Sequence, residues 1–124
     1  MVILDTSTLI DSLTGPKRSE PVLYQLVHRG ERIALPSLVL SEWLRGPRTD
    51  EEIAIQEDLF PASAALPFGS EEAALSAQLY RTVRRARGRE MDLAIAACAM
   101  RREAELWTLN RSDFADIPGL RMIG

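Results

Sequence analysis

The chain has 124 residues, 46% of them hydrophobic and 27% charged, with a formal net charge of −3. That length suits one ordinary domain, expected to span residues 1–124 and to bury a single core, and its acidic total gives no global attraction for nucleic acid. A lone cysteine, Cys98, excludes an internal disulfide, and a lone histidine, His28, argues against a Cys/His zinc cage and a serine-hydrolase triad.

Val2 to Asp5 reads as a strand, apolar until its last residue. It follows the first methionine with no basic region or cleavage site, and no apolar run nears the roughly 18 residues of a membrane span, so a cytoplasmic protein without membrane contact is expected. Thr6-Ser7-Thr8 supplies hydroxyls suited to capping a helix that runs toward Leu13, and Gly15-Pro16 breaks it. Glu20 to Arg29 is a helix with Val22, Leu23, Leu26 and Val27 on one apolar face and His28 facing solvent at its end. Arg32 to Leu35 is a short strand. Pro36-Ser37 opens a helix that Gly46-Pro47 closes. Thr49 to Phe60 is a further helix, with Thr49 or Asp50 as cap, and Ala64 to Pro67 is expected as a third short strand. Ser70, Glu71 and Glu72 open a long helix through Ala86. Asp92 to Glu103 is the most apolar helix, hence the central one, with Cys98 in the core. Leu106 to Leu109 is a strand, and Leu120 to Ile123 a last edge strand.

Short strands alternating with helices predict an α/β fold in three layers, with a short central parallel sheet between helices. Sites in such sheets lie outside the carboxyl ends of the strands. Four acids gather there or near it: Asp5 at the end of the first strand, Glu42 within Ser37 to Leu44, Asp92 at the head of the apolar helix, and Asp113 just past Leu106 to Asn110. Each has a plain alternative as a helix cap, a dipole partner or a solvent-facing residue. Together, in apolar settings and without a neighbouring lysine or histidine, they are costly unless something positive meets them. A hard divalent cation is the economical partner. Arg81, Arg84, Arg85, Arg87 and Arg89 crowd one stretch and could hold phosphates on an acidic protein, or form a solvated helix face.

The ordered set resembles a known family. Leu4-Asp5-Thr6-Ser7, Ser41-Glu42-Trp43-Leu44, Asp92-Leu93-Ala94-Ile95-Ala96-Ala97, the block Thr108-Leu109-Asn110-Arg111-Ser112-Asp113-Phe114 and the closing Ile117-Pro118-Gly119-Leu120 are similar to a PIN domain. They are most similar to the VapC ribonuclease toxins of type II toxin–antitoxin pairs. Any one motif is weak; the order, over nearly the whole chain, is specific.

That resemblance implies an endoribonuclease using Mg²⁺ or Mn²⁺ held by Asp5, Glu42 and Asp92, with Asp113 as a fourth, more variable acid and Asn110 as a polar neighbour. Thr6 and Ser7 match the hydroxyl position that orients the first aspartate. Arg111, in the loop of Asn110 and Asp113, is placed either to touch an RNA phosphate, as Arg84, Arg85 and Arg87 could, or to be a plain surface arginine. Glu90 departs from any firm expectation and reads as a solvated residue at the start of its helix. The resemblance also implies a cognate VapB-type antitoxin and a homodimer. A PIN nuclease of RNA processing without an antitoxin is the alternative. A Mg²⁺-binding phospho-receiver-like module fits poorly, because Asp5 has no acidic neighbour and the only lysine is Lys17.

Overall fold

Val2, Ile3 and Leu4 form strand β1, and none is more than 1% exposed. Side chains alternate between sheet faces, so a strand buried at three consecutive residues has both faces covered, as the three-layer expectation requires. The computed structural model describes residues 1–123. β1 is one of the two central strands of a four-stranded parallel sheet of order β2-β1-β3-β4, with β2 at Ile33–Ala34, β3 at Glu105–Trp107 and β4 at Arg121–Met122. Register runs Val2 to Ile33 on one side of β1 and Val2 to Glu105 on the other.

Six helices complete the described chain: α1 (Thr6–Leu13), α2 (Glu20–His28), α3 (Ser37–Arg45), α4 (Asp50–Leu59), α5 (Ser70–Thr82) and α6 (Glu90–Arg101). In α3, Val39 and Trp43, one helical turn apart, turn wholly into the core, which fixes the helix's rotation. Every residue from Leu93 to Ala99 in α6 is buried, including Cys98, so α6 is the central helix that its composition predicts. Because α6 leads directly into parallel β3, its first turn lies at the carboxyl edge of the sheet.

The structure corrects several expected boundaries. Ala64 to Pro67 is not a strand. A 3₁₀ turn occupies Ala62–Ala64, and pairing shrinks to one bridge between Pro36 and Leu66, since Pro67 has no N–H with which to extend a ladder. The helix expected through Ala86 stops at Thr82. Val83 is extended (φ −76°, ψ 149°) and Arg85 is left-handed (φ 57°), so Arg84, Arg85 and Arg87 sit in an exposed turn that redirects the chain into α6. α6 itself starts two residues earlier than expected, at Glu90. Thr49, not Asp50, caps α4, in a reciprocal capping box with Glu52. On α2 only Leu23 and Leu26 are buried; Val22 and Val27 remain 43% and 46% exposed, because the seam against the core is one residue wide per turn. His28 is exposed at the end of that helix.

Candidate active site

Asp5 follows β1 in extended conformation and is the N-cap of α1. Its side chain is almost fully buried, and hydrogen bonds meet both carboxylate oxygens. Oδ1 accepts from the Ser7 hydroxyl at 2.7 Å and the Thr8 N–H at 3.1 Å, and Oδ2 accepts from the Thr108 hydroxyl. Both hydroxyls in turn accept an amide from the segment after β3: the Leu109 N–H reaches Ser7 Oγ at 3.1 Å, and the Asn110 N–H reaches Thr108 Oγ1 at 2.9 Å. An amide can only donate, so each hydroxyl is left to give its own proton to the aspartate. Sequence reasoning missed Thr108 as a member of the site. Its signal was the Thr-x-Asn-x-x-Asp-Phe block, where it stands first.

Thr6 and Ser7, both matched to the task of orienting the first aspartate, divide it. Ser7 serves Asp5, while the Thr6 hydroxyl donates to Glu42 Oε1 at 2.5 Å. Successive residues on a helix project about 100° apart, so the two hydroxyls at the start of α1 address different neighbours. Trp43, turned into the core, leaves the adjacent Glu42 facing α1. Its other oxygen, Oε2, has the exposed Arg45 guanidinium at 3.5 Å.

Asp92 is the third residue of α6 and is partly buried. Burial raises its carboxyl above the ordinary value, and the negative charges of Asp113, Asp5 and Glu42, in that order of effect, raise it further; Arg89 opposes them. All four expected acids therefore bear electrostatically on one point, although they come from four separate segments. Glu90 turns away, accepting the Gly88 N–H at 2.7 Å. Asp113 is exposed on the 3₁₀ turn Arg111–Asp113, which Asn110 opens. The Arg111 guanidinium is engaged elsewhere, donating to the Ile123 carbonyl at 2.8 Å.

The donor set is all oxygen, which suits Mg²⁺ or Mn²⁺ rather than a soft metal. Among the described residues, no three Asp, Glu, His or Cys side chains stand together as a ready-made ion cage. Asp5 turns toward Ser7 and Thr108, and Glu42 toward Thr6 and Arg45. Capacity remains: Asp5 Oδ2 carries one donor, and no hydrogen bond from a described residue reaches the Asp92 carboxylate. The carboxylates of Asp5, Glu42, Asp92 and Asp113 are the hard oxygen donors that such an ion takes.

Comparisons with known proteins cover nearly the whole chain. The family model described as PIN domain matches residues 2–120. Ribonuclease VapC19 of Mycobacterium tuberculosis is 33% identical over 123 residues, covering 98% of each chain. Two solved structures share the fold. DNA-bound VapBC from Salmonella typhimurium has a TM-score of 0.77 at 21% identity, over 98% of this chain and 96% of that one. VapBC2 from Rickettsia felis, bound to a promoter DNA fragment, has a TM-score of 0.72 at 20% identity, over 99% and 98%.

Proposed function

We propose that this chain, which belongs to the PIN-domain family, is a divalent-metal-dependent endoribonuclease, the toxin of a VapBC-type toxin–antitoxin pair. The observation that carries this reading is the gathering of Asp5, Glu42, Asp92 and Asp113 from four segments, with the Asp92 carboxyl raised first by burial and then by the charges of the other three. A bound cation would relieve the mutual repulsion of these carboxylates. The relationship to Ribonuclease VapC19 over the full length supports RNA as the substrate.

Bound to these oxygens, Mg²⁺ or Mn²⁺ would supply an acidified water and neutralise charge on the reacting phosphate. The chain's own residues set the frame. Asp5, held at both oxygens, would be the fixed ligand. Thr6 orients Glu42, and an ion here would ease the crowding that raises Asp92. Asn110 and Asp113 stand at the start and end of the turn beside these acids, and the turn bearing Arg84, Arg85 and Arg87 leads from α5 into α6, where it can hold the phosphates of the RNA strand. Arg111 is the lesser candidate for that role, because its guanidinium is committed to Ile123.

The partner of such a toxin is a VapB-type antitoxin, and Val22 and Val27 on α2 and Leu44 on α3 are apolar side chains of the kind a partner covers. Among the described residues no helix is long and apolar enough to cross a membrane. We place the protein in the cytoplasm as a homodimer in complex with its antitoxin.

Purified free of any partner, the protein should cleave structured RNA with Mg²⁺ or Mn²⁺ and stop when EDTA is added. Cleavage that resists EDTA and survives both Asp5→Ala and Asp92→Ala would sink the assignment; the two variants also control for contaminating host ribonuclease.

A further inference from the structure

Arg89 does something that neither the acidic constellation nor the arginine turn requires of it. It is the N-cap residue of α6, and its backbone is fixed at both ends: its N–H donates to the Ala86 carbonyl at 2.9 Å, and its carbonyl accepts the Leu93 N–H at 2.9 Å. From there the guanidinium crosses to the segment after β3. Nη1 and Nη2 meet the two oxygens of Asp116 at 2.9 and 2.6 Å, and Nη2 also donates to the Asp113 carbonyl at 2.8 Å. Nη1 lies 3.3 Å from the Arg84 carbonyl as well. One planar fork thus joins the first turn of α6, which carries Asp92, to the 3₁₀ turn that carries Asp113.

An exposed ion pair ordinarily contributes little and holds nothing in place. This one differs in two respects. The Arg89 side chain is only 21% exposed, and its contact with Asp116 is bidentate, the geometry that confines an arginine to one orientation. Asp113 is exposed on a three-residue turn, where its N–H meets the Asn110 carbonyl at 3.0 Å and the next residue, Phe114, is buried. Those contacts belong to the segment after β3; the Arg89 fork ties that turn directly to the helix that carries Asp92.

We propose that Arg89, locked by Asp116, is a positioning residue that fixes Asp113 relative to Asp92, so that the fourth acid contributes to ion binding. This rests on the metal-dependent reading above. Asp116 is the anchor and touches neither ion nor RNA.

The test is a Mn²⁺ titration by calorimetry, with cleavage kinetics alongside, on wild type, Arg89→Lys, Asp116→Asn, Asp113→Asn and the Arg89→Lys/Asp113→Asn double variant. Lysine keeps the charge but not the fork, so Arg89→Lys should weaken Mn²⁺ binding about tenfold or more, the usual consequence of losing a residue that orients a ligand. Asp116→Asn, a change at a half-exposed site that leaves Arg89 and Asp113 in place, should act in the same direction and covers the case in which Arg89→Lys fails to fold. Asp113→Asn should weaken binding in the wild-type background and add little in the Arg89→Lys background. Melting temperatures that fall while Mn²⁺ affinity stays at the wild-type value would reduce Arg89 to a stabilising contact and overturn the proposal. So would a full Asp113→Asn effect in both backgrounds. A wild type that neither binds Mn²⁺ nor cleaves RNA would overturn the metal-dependent reading itself, which separates the two failures.

Discussion

Thr108 donates its hydroxyl proton to Asp5 across the β1–β3 pair, while its own oxygen accepts the Asn110 N–H. Two strands that lie 103 residues apart in the chain thereby hold one carboxylate between them. The pairing of Leu4 with Trp107 sets the residues that follow each strand side by side.

Thr108→Val should therefore damage both stability and activity. It removes a hydrogen bond to a buried charge, worth about 1.5–3 kcal/mol, and orphans the Asn110 amide. Activity should fall about 10–100-fold through loss of ligand orientation. Thr108→Ser keeps the hydroxyl and should recover most of both. Urea unfolding and single-turnover cleavage of the two variants measure this; a valine variant as active as the serine one would mean that Asp5 needs no orientation from β3.

Asp92 gives a pH prediction with a definite sign. Its carboxyl titrates above the ordinary value of 3.8 in the folded chain, so the fold binds this proton more tightly than the unfolded chain does. Ionised Asp92 then opposes folding: its unfavourable contribution is absent below 3.8 and complete above the raised folded value. Asp92→Asn should remove that dependence. The stability difference between variant and wild type, in metal-free buffer, should grow in the variant's favour as pH rises through this window. A difference that is flat with pH would remove the electrostatic argument for a shared site.

Saturating Mn²⁺ should stabilise the wild type by about 2.7 kcal/mol at a hundredfold excess over its dissociation constant. Asp92→Asn should lose most of this. An equal thermal shift in both proteins would mean that the acids do not share an ion.

Replacing Arg84, Arg85 and Arg87 together by glutamine should weaken RNA binding and reduce its salt dependence. The log–log slope should fall by about 0.7 for each phosphate of a single strand that is no longer neutralised. All three arginines are exposed, so the melting temperature should barely move. An unchanged slope would place the phosphates elsewhere on the surface.

If the chain is a toxin, its expression alone should arrest bacterial growth, and co-expression of the product of an adjoining antitoxin gene should restore it. Normal growth at high soluble expression would favour an RNA-processing nuclease with the same site.

The parts of this architecture legible in the sequence are those where one residue contradicts its surroundings. Asp5 and Asp92 stand at the ends of apolar runs, and that position alone points to the carboxyl edge of a parallel sheet. Thr108 did not stand out, because threonine at the end of a strand satisfies β propensity without further cause. The arginine stretch misled in the opposite way. Arginine and alanine favour helix, yet α5 must turn back so that α6 can pack beside it, and packing outweighs propensity. Ala64 to Pro67 is apolar enough to suggest a strand but lacks β-branched residues and ends in one with no N–H to give a ladder. The Arg89–Asp116 contact joins residues 27 apart with no periodicity to reveal it.

The paired amide–hydroxyl–carboxylate chains around Asp5 have a direction, and that makes its isosteric replacement unlike the one at Asp92. In Asp5→Asn the Thr8 N–H requires an oxygen at the Oδ1 position, so the new amide group would have to point at Thr108. There it would meet a hydroxyl that already accepts the Asn110 N–H and now gives its proton to the carboxylate. To accept the new amide as well, Thr108 would have to turn its proton away from the acceptor it has at position 5. Asparagine at position 5 is thus a misfit in polarity although it matches in shape, and an inactive Asp5→Asn protein would have lost its local wiring together with its charge. Asp92 has no such wiring, so the same exchange there removes charge alone.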